Sequence, residues 1–575
     1  MERMFRTHRV RVSEVLDGLW EFAVADREIG DLSRLDYDYR LIVPGCWESH
    51  PKLANYRGEG VYRRWVRTSQ SGAVRLTFKG VSHTGRVYWD GREIARHYNA
   101  YTAFSVVVPS VEAGGHELVV RVDNSFGESS ALHVPNDYYT YGGMIRPVVI
   151  EELNGPFVER IAFKPYGGIG AWRGKLEVKV TNPSIERAHD VRLKASIVGP
   201  EIEWETVRIE PGQSLTVGGE YEFPGALEWS PEQPRLYELA VNLYVDGAKE
   251  PSDDLIERIG FRSVTTNGER IQLNGQDIVL QGFNRHEDHP MAGAALTPAL
   301  MLQDIDLMLD MGANMVRTSH YPNDERFLDL CDEKGLFVWE ENHARGLSLE
   351  QMRNPNFVWQ CEQVNREMVE QHINHPSIIV WGILNECASD CEEGRVHYVR
   401  QLGQIRALDD SRPLTFASHH RANEICFDLA DIVSFNLYPG WYTDEDPGEL
   451  CDLARGWADA AGGAGKPMMM SEFGGDGYYG LRDPNRVRGT EERQADIIEA
   501  NLAAYTARPY LSGMLIWQFA DCRVTEGTGW LLNRAGTQNS KGIVDKYRRP
   551  KLAYEVVKRY FKDDGGSKVS SGEVR

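Results

Sequence analysis

The chain has 575 residues, which at about 150 residues per domain predicts three or four domains with large cores. Its formal net charge of −21 and its sequence pI near 5.3 disfavour nucleic acid or an anionic membrane surface as a partner. A small anionic substrate is not excluded, because a local group of basic and amide side chains can set the potential of one pocket.

The composition also indicates where the protein resides. No apolar run reaches the length of a signal peptide or a membrane span, so no membrane association is predicted. The start at Met1 favours a cytoplasmic location. The eight cysteines are scattered, and the closest pair, Cys387 and Cys391, lacks the CxxC spacing of a zinc or redox site. We therefore expect free thiols that are mostly buried.

Two β-rich regions open the chain. Residues 1–154 contain short alternating runs such as AVRLTFKGV and HELVVRVDNS, divided by turn residues. Asp90 and Gly91 between RVYW and REIA predict a hairpin, since both turn positions tolerate positive φ. Residues 155–263 hold a second set of strands, typical of a sandwich of about 100 residues: KLEVKVTNP, VRLKASIVGP and YELAVNLYV.

Residues 264–563 alternate strand, loop and helix. One predicted helix is TPALMLQDIDLMLDMG, in which Thr297 caps, Pro298 fits the first turn and Gly312 ends the helix. Eight predicted strands separated mostly by helices are typical of a (β/α)8 barrel. Residues 564–575 have too little apolar content to pack and are predicted to be a disordered tail. The eight predicted strands are 278–282, 313–318, 336–339, 378–384, 414–417, 432–435, 468–471 and 513–517.

Polar and acidic residues follow the predicted barrel strands, at the face where barrel enzymes hold reactive groups. Asn385 and Glu386 end one apolar run, and Ser471 and Glu472 end another. Cleavage of a glycosidic bond requires such a pair of carboxyls, one to protonate the leaving oxygen and one to attack or to activate water. The alternative is a structural glutamate paired with an arginine at a strand end.

Other motifs are weaker. The segment HEDH, from His286 to His289, is not HExxH and has no evident third ligand, so hydrogen bonding is favoured and no metal is predicted. Neither GxGxxG nor a phosphate-binding loop occurs, and no pattern indicates a flavin, so no cofactor is predicted. Four aromatic residues near strand ends could stack on a sugar or pack the interior: Tyr438, Trp441, Tyr442 and Trp517.

These segments together resemble glycoside hydrolase family 2 over nearly the whole chain. The resemblance lies in NMVRTSHYP (314–322), INHPSIIVWGILNE (373–386) and SEFG (471–474). It implies an N-terminal jelly-roll sugar-binding domain, an immunoglobulin-like β-sandwich and a C-terminal (β/α)8 catalytic barrel. It also implies a retaining mechanism, with Glu386 as general acid/base and Glu472 as nucleophile.

Within that family the chain is similar to β-glucuronidases. NSKG, from Asn539 to Gly542, resembles their motif for the C6 carboxylate of the substrate, to which an ammonium and an amide can both donate. Taken alone, Lys541 is more simply a lysine of a surface loop. The resemblance implies eight substrate-binding residues: Asp137, His320, Asn385, Asn436, Tyr438, Trp517, Asn539 and Lys541.

Several points depart from the family pattern or stay open. The segment after His343 is short, which predicts an open mouth that admits larger aglycones or oligosaccharide ends. The arginine expected just before the NSKG motif has no clear counterpart, although Arg534 lies nearby. The resemblance also implies a homo-oligomer. The alternatives to a β-glucuronidase are a β-galacturonidase, whose substrates differ only at C4, a β-galactosidase, and a carbohydrate-binding protein without catalysis.

Overall fold

The computed structural model describes residues 2–25, 35–168, 170–199, 201–526, 531 and 533–563. It contains two β-sandwiches followed by a closed eight-stranded parallel barrel. The predicted fold class is therefore confirmed. The predicted disordered tail, residues 564–575, lies outside the described residues.

The N-terminal domain is a sandwich of two antiparallel sheets, ordered β1-β12-β5-β9 and β3-β2-β4-β10-β7-β8. Trp20, Phe22 and Leu76 are fully buried between the sheets. The predicted hairpin is confirmed, with φ of 47° at Asp90 and 77° at Gly91 between β7 and β8. The strands are Val12–Val15 (β1), Gly18–Ala25 (β2), Tyr39–Val43 (β3), Glu59–Thr68 (β4), Gly72–Phe78 (β5), Val81–Ser82 (β6), Thr84–Trp89 (β7), Arg92–Tyr98 (β8), Phe104–Val111 (β9), Gly114–Asp123 (β10), Gly143–Met144 (β11) and Val148–Leu153 (β12).

The second domain is a smaller sandwich. Its sheets are ordered β13-β14-β18 and β16-β15-β19-β20, with β17 beside β15. Trp172, Leu176 and Phe261 lie in its buried interior. Its strands are Phe157–Tyr166 (β13), Arg173–Thr181 (β14), His189–Ser196 (β15), Ile202–Glu203 (β16), Val207–Ile209 (β17), Ser214–Glu222 (β18), Tyr237–Val245 (β19) and Asp253–Ile259 (β20).

All eight predicted barrel strands are present. The first begins at Leu280, two residues later than predicted, because Ile278 pairs with Ile271 in a small antiparallel sheet at the bottom of the barrel. That sheet consists of Val264–Asn267 (β21), Arg270–Leu273 (β22) and Gln276–Ile278 (β23). The barrel strands are Leu280–Asn284 (β24), Met315–Arg317 (β25), Phe337–Glu341 (β26), Ile378–Gly382 (β27), Leu414–Ser418 (β28), Ile432–Asn436 (β29), Met468–Phe473 (β30) and Leu511–Ile516 (β31). A hairpin of Cys522–Arg523 (β32) and Gln538–Asn539 (β33) follows.

Helices surround the barrel. The predicted cap is confirmed, because Thr297 Oγ1 accepts from the Leu300 N–H at 3.4 Å. Between β28 and β29, residues 419–431 are all described and form only a 3₁₀ turn, Arg421–Asn423. None of the described helices is long and apolar enough to cross a membrane. The helices are Pro298–Asp310 (α1), Glu325–Lys334 (α2), Leu349–Met352 (α3), Phe357–His372 (α4), Glu392–Leu408 (α5), Pro447–Ala458 (α6), Glu491–Thr506 (α7) and Leu552–Asp563 (α8).

The N-terminal segment ties the three domains together. Arg3 donates to Asp329 of the barrel helix α2 at 2.8 and 3.0 Å. Arg11 donates to Glu151 of the first sandwich at 2.7 Å and to Asp253 of the second at 2.8 Å. These ion pairs are buried, so removing one partner would leave an uncompensated charge. They help fix the first sandwich against the barrel.

The cysteines match their prediction. All eight lie in the described part of the chain and none forms a disulfide. Seven are buried and Cys391 is half-buried.

Candidate active site

Two glutamates lie at the carboxyl end of the barrel on different strands. Glu472 is inside β30, and Glu386 lies in the loop after β27. Leu384 and Glu386 have φ of 45° and 52°, a left-handed conformation that is strained for residues other than glycine. The Glu386 N–H donates to the Ala417 carbonyl at 2.9 Å, which anchors this turn to the next strand. Strain held in this way is common at functional sites.

Fixed donors hold the Glu472 carboxyl on both oxygens. Arg317 Nη1 donates to Oε1 at 2.8 Å, and the Tyr438 hydroxyl donates to Oε2 at 2.6 Å. The same guanidinium donates to both oxygens of Glu341 at 2.8 and 2.9 Å and to Asn385 Oδ1 at 2.8 Å. Arg317 is fully buried, so its position is determined by these acceptors.

The surroundings of Glu472 change the pKa of its carboxyl. Burial raises the pKa of the Glu472 carboxyl to about 8, because water no longer stabilises the charged form. The Arg317 guanidinium and the Tyr438 hydroxyl oppose this rise in pKa, whereas the nearby carboxylate of Glu386 adds to it.

Glu386 has a looser environment. Asn436 Nδ2 donates to its Oε1 at 3.0 Å and also to Asn385 Oδ1 at 3.0 Å. Ser471 Oγ donates to Asn436 Oδ1 at 2.8 Å, which fixes the orientation of that amide. The Glu386 side chain keeps 17% of its surface exposed, against 3% for Glu472. The two carboxyls thus differ in their access to solvent.

His320 and Trp517 line the buried wall beside Glu472. Their rings stack with centroids 5.1 Å apart. His320 Nδ1 lies 2.8 Å from Glu341 Oε1, and its Nε2 lies 3.9 Å from Glu472 Oε1. Burial holds the pKa of His320 well below its usual value, so the imidazole is neutral.

The N-terminal domain contributes Asp137 to the barrel mouth. Its Oδ2 accepts from Arg534 Nη2 at 2.9 Å and from Asn539 Nδ2 at 3.2 Å, and its Oδ1 lies 3.2 Å from Arg345 Nη2. Burial alone would raise the pKa of Asp137, but Arg345 and Arg534 lower it below its usual value. Arg345 also lies 3.8 Å from Glu386 Oε2, so this side of the site is continuous with the glutamates.

Lys541 is buried at the same end of the site. Its Nζ donates to Asp476 Oδ1 at 3.0 Å and lies 5.0 and 5.2 Å from the ring centres of Trp441 and Tyr442. Only 1% of its side chain is exposed, which argues against a lysine of a surface loop. Arg534 Nη1 lies 3.8 Å from Asp476, so two cations share one carboxylate.

All ten residues predicted for the site belong to one connected network of contacts: Glu386, Glu472, Asp137, His320, Asn385, Asn436, Tyr438, Trp517, Asn539 and Lys541. Arg534, which the sequence left in doubt, joins the same network. Four residues that the sequence analysis did not select also belong to it: Arg317, Glu341, Arg345 and Asp476. Each of these four residues either ends a barrel strand or lies within a few residues after one. That position was the feature of the sequence from which they could have been selected.

The HEDH segment is engaged in hydrogen bonds. His286 Nδ1 lies 3.2 Å from the Tyr321 hydroxyl, and Asp288 accepts from Tyr141 at 2.9 Å. Among the described residues, one other group has the composition of a metal site: Asp329, Asp332 and His375. Arg3 donates to Asp329, and His375 Nδ1 lies 2.6 Å from Asp332 Oδ2. The three groups are therefore already engaged in contacts within the protein.

Two carboxyls at the carboxyl end of a (β/α)8 barrel are the groups that glycosidic cleavage requires. The chain belongs to the glycosyl hydrolases family 2. The family's TIM barrel domain matches residues 264–563, its sugar binding domain matches residues 13–154, and a further family 2 domain matches residues 158–262.

Known proteins are similar to the chain over most of its length. The chain is 27% identical to a β-glucuronidase of Streptococcus agalactiae, covering 95% of each chain, and 26% identical to a β-glucuronidase of Homo sapiens, covering 96% of this chain and 91% of that one. A crystal structure of a β-galacturonidase from Eisenbergiella tayi bound to galacturonate is 45% identical, with a TM-score of 0.93 over 98% of this chain and 99% of that chain.

Proposed function

We propose that the protein is an exo-acting, retaining β-uronidase that hydrolyses terminal β-D-glucuronides. The observation that carries this proposal is the cationic end of the site, where Lys541 and Arg534 lie close to Asn539. A uronide differs from a neutral glycoside by its C6 carboxylate, and ammonium and guanidinium groups are strong donors to a carboxylate. The substrate is a small molecule or an oligosaccharide that ends in such a sugar.

The two glutamates perform a double displacement. Glu386 gives its proton to the glycosidic oxygen while Glu472 attacks the anomeric carbon, so the C1–O bond breaks and a glycosyl ester forms. Glu386, now a carboxylate, then takes a proton from water, whose oxygen bonds to C1 and releases Glu472. Burial raises the pKa of Glu472, and the hydrogen bonds from Arg317 and Tyr438 oppose that rise, so these two donors favour the ionised form that the attack requires.

Two buried polar atoms support a sugar pocket beside the glutamates. Asn385 Nδ2 and His320 Nε2 have no hydrogen-bond partner among the described residues. An unsatisfied buried polar atom is costly, and a bound sugar hydroxyl would remove that cost. We assign Asn385 to the 2-hydroxyl, His320 and Asp137 to other ring hydroxyls, and Trp517 to the apolar face.

The C6 carboxylate is assigned to Asn539 and Lys541. In the free site Lys541 is paired with Asp476, so the arriving carboxylate would share or replace that partner. A neutral C6 hydroxyl would give the Lys541 ammonium no second charged acceptor beside Asp476, whereas a C6 carboxylate would. Asn436 holds Glu386, and Tyr438 holds Glu472, while the sugar binds between them.

A β-galacturonidase is the second candidate. The specific observation that favours it is the 45% identity to the Eisenbergiella tayi β-galacturonidase, which exceeds the 27% and 26% identities to the two β-glucuronidases. Galacturonides and glucuronides carry the same C6 carboxylate and differ at C4. Both candidates therefore require the same glutamates and the same cationic pocket.

Initial rates on four matched 4-nitrophenyl β-glycosides test the proposal: the glucuronide, galacturonide, glucoside and galactoside, with Glu472→Gln as the blank. We expect both uronides to react faster than the neutral glycosides and the glucuronide to react fastest. A faster galacturonide would establish the second candidate. A faster galactoside would refute the cationic pocket, and no cleavage of any glycoside would favour a carbohydrate-binding protein without catalysis.

Lys541→Ala tests the pocket directly. The loss of a charge-assisted hydrogen bond should lower kcat/KM for the preferred uronide by roughly 10–100-fold. Any activity on the matched neutral glycoside should change little. Lys562→Ala, a half-exposed lysine of α8, is the matched control and should change neither rate. An equal loss on both substrates would refute the role of Lys541.

We also propose a cytoplasmic homo-oligomer without nucleic-acid or membrane partners. Eight unpaired cysteines support a reducing compartment. An apolar row on the outer face of the first sandwich supports self-association: Ile42, Leu19 and Trp65 are 54%, 64% and 65% exposed on neighbouring strands. Light scattering of the purified protein measures the oligomeric state, and a monomer at micromolar concentration would contradict this assignment.

A further inference from the structure

One side chain faces the carboxyl of Glu386 from the open side of the mouth. His419 is the first residue after β28, and its Nδ1 lies 3.8 Å from Glu386 Oε1. This distance is too long for a direct hydrogen bond, but an oxygen atom hydrogen-bonded to both groups could span it. Because residues 419–431 form no α-helix, His419 stays at the rim of the barrel.

The loop that carries His419 is fixed to the turn that carries Glu386. The Glu386 N–H donates to the Ala417 carbonyl at 2.9 Å. From the other side, His420 Nε2 lies 2.9 Å from the Cys387 carbonyl, and its ring lies 4.4 Å from the ring of His419. These contacts fix the position of the His419 loop relative to the turn that carries Glu386.

Exposure indicates which part of a substrate would meet His419. The exposed fraction of the side chain rises from 3% at Glu472 to 17% at Glu386 and 47% at His419. The sugar that is cleaved occupies the buried end, so the leaving group extends towards His419. The imidazole of His419 makes no hydrogen bond with any residue in the described ranges. With 47% of its side chain exposed, the ring of His419 can contact a ligand.

We infer that His419 forms the leaving-group subsite: it binds a hydroxyl next to the glycosidic oxygen and positions Glu386, so that the preferred leaving group is another sugar. An imidazole offers one donor and one acceptor, as does a sugar hydroxyl, whereas an aryl leaving group offers neither. The inference deepens the proposed function at the same site. The inference requires that the protein cleaves a glycosidic bond, but it does not require that the cleaved sugar is a uronide.

The charges around His419 are compatible with this role. Burial lowers the pKa of His419, and the neighbouring His420 and Arg345 lower it further, while Glu386 and Asp390 raise it. A lowered pKa favours the neutral imidazole, which can donate to an oxygen atom that lies between it and Glu386 after the proton of Glu386 has passed to the leaving oxygen. At that moment the C1–O bond has broken, the leaving group departs as a neutral alcohol, and Glu386 is a carboxylate.

The test compares two substrates that share the glycone cleaved fastest in the 4-nitrophenyl series. One is the 4-nitrophenyl glycoside, and the other is the disaccharide in which the same glycone is β-linked to a second sugar. We expect His419→Ala to lower kcat/KM for the disaccharide about tenfold, the effect of one hydrogen bond lost in the transition state. The rate on the nitrophenyl glycoside should change less than about twofold, and His419→Gln should restore part of the disaccharide rate.

The controls separate this role from a structural one. His397→Ala removes a half-buried histidine of α5, on the outside of the barrel, and should leave both rates unchanged. Equal losses on both substrates, or an unchanged disaccharide rate, would overturn the inference. If the protein cleaves no uronide, the proposed function is overturned. The nitrophenyl glycoside and the disaccharide of the neutral sugar that the protein prefers can then still be compared. If the wild-type protein cleaves no glycoside at all, both are overturned.

Discussion

Glu472 and Glu386 lie at the same end of the barrel, in two regions that differ in how closely neighbouring side chains hold the carboxyl. Around Glu472, Arg317 and Tyr438 donate to both carboxyl oxygens at 2.8 and 2.6 Å, and 3% of the side chain is exposed. Among the described residues, the Glu386 carboxyl accepts one side-chain hydrogen bond, from Asn436 at 3.0 Å, while Arg345 and His419 lie at 3.8 Å. A nucleophile reacts faster when its position is fixed, whereas a general acid/base gives and takes a proton and needs access to water. The contrast supports the proposal that the two carboxyls have different tasks.

The largest expected effect comes from removing the nucleophile. Glu472→Gln should lower turnover by about 10⁴-fold or more on every substrate, because no other group occupies the position of attack. Initial rates on good and poor leaving groups measure this loss, and circular dichroism checks that the fold is intact. Residual activity within a hundredfold of the wild type would exclude Glu472 as the nucleophile.

The acid/base should behave differently. Glu386→Gln is expected to lower kcat/KM by about 10²–10⁴-fold for a sugar leaving group, which needs a proton. A dinitrophenyl leaving group needs little protonation, so its glycosylation step should lose much less. Pre-steady-state release of the phenol measures that step alone. Identical losses for both leaving groups would remove the functional distinction between the two glutamates.

The hydrogen bonds around Glu472 also stabilise the fold. Arg317→Met would leave Glu341 and Glu472 buried without their cation, and we expect a loss of about 3–5 kcal/mol in the free energy of unfolding. Arg421→Met is the control, because its ion pair with Glu445 is more than one third exposed and contributes about 0–1 kcal/mol. Urea denaturation followed by tryptophan fluorescence compares the two. Similar losses would mean that burial does not distinguish these ion pairs.

The smallest expected effect depends on pH. Because burial raises the pKa of Glu472 to about 8, the folded protein keeps a proton that the unfolded chain releases near its usual value of 4.5. Stability should therefore decrease as pH rises from 4.5 to 8. Glu472→Gln removes this loss, so its stability relative to the wild type should be higher at pH 8.5 than at pH 5. Thermal unfolding at both values measures it. A less stable variant at pH 8.5 would mean that the ion pair with Arg317 outweighs burial.

The contrast between the two regions was only partly predictable. The strand-end positions of Glu386 and Glu472 and the resemblance to the family were sufficient to select both glutamates. Arg317 stood in a recognised strand-end segment, but nothing in that segment indicated that its guanidinium would reach Glu341, Asn385 and Glu472 together. Arg345 and His419 were not selected, because each meets Glu386 only through the closure of the barrel.

The sequence by itself predicted the order of the domains and the eight barrel strands, because strand periodicity and turn residues are local properties. The ten residues proposed for the site were selected through the resemblance to the family and not from these local patterns. The tertiary structure decided the rest. It brought Asp137 of the first sandwich onto Arg534 and Asn539 of the barrel, and it placed Lys541 beside Asp476. These contacts join residues far apart in the chain, and their burial, which sets both charge and exposure, exists only once the domains are packed together.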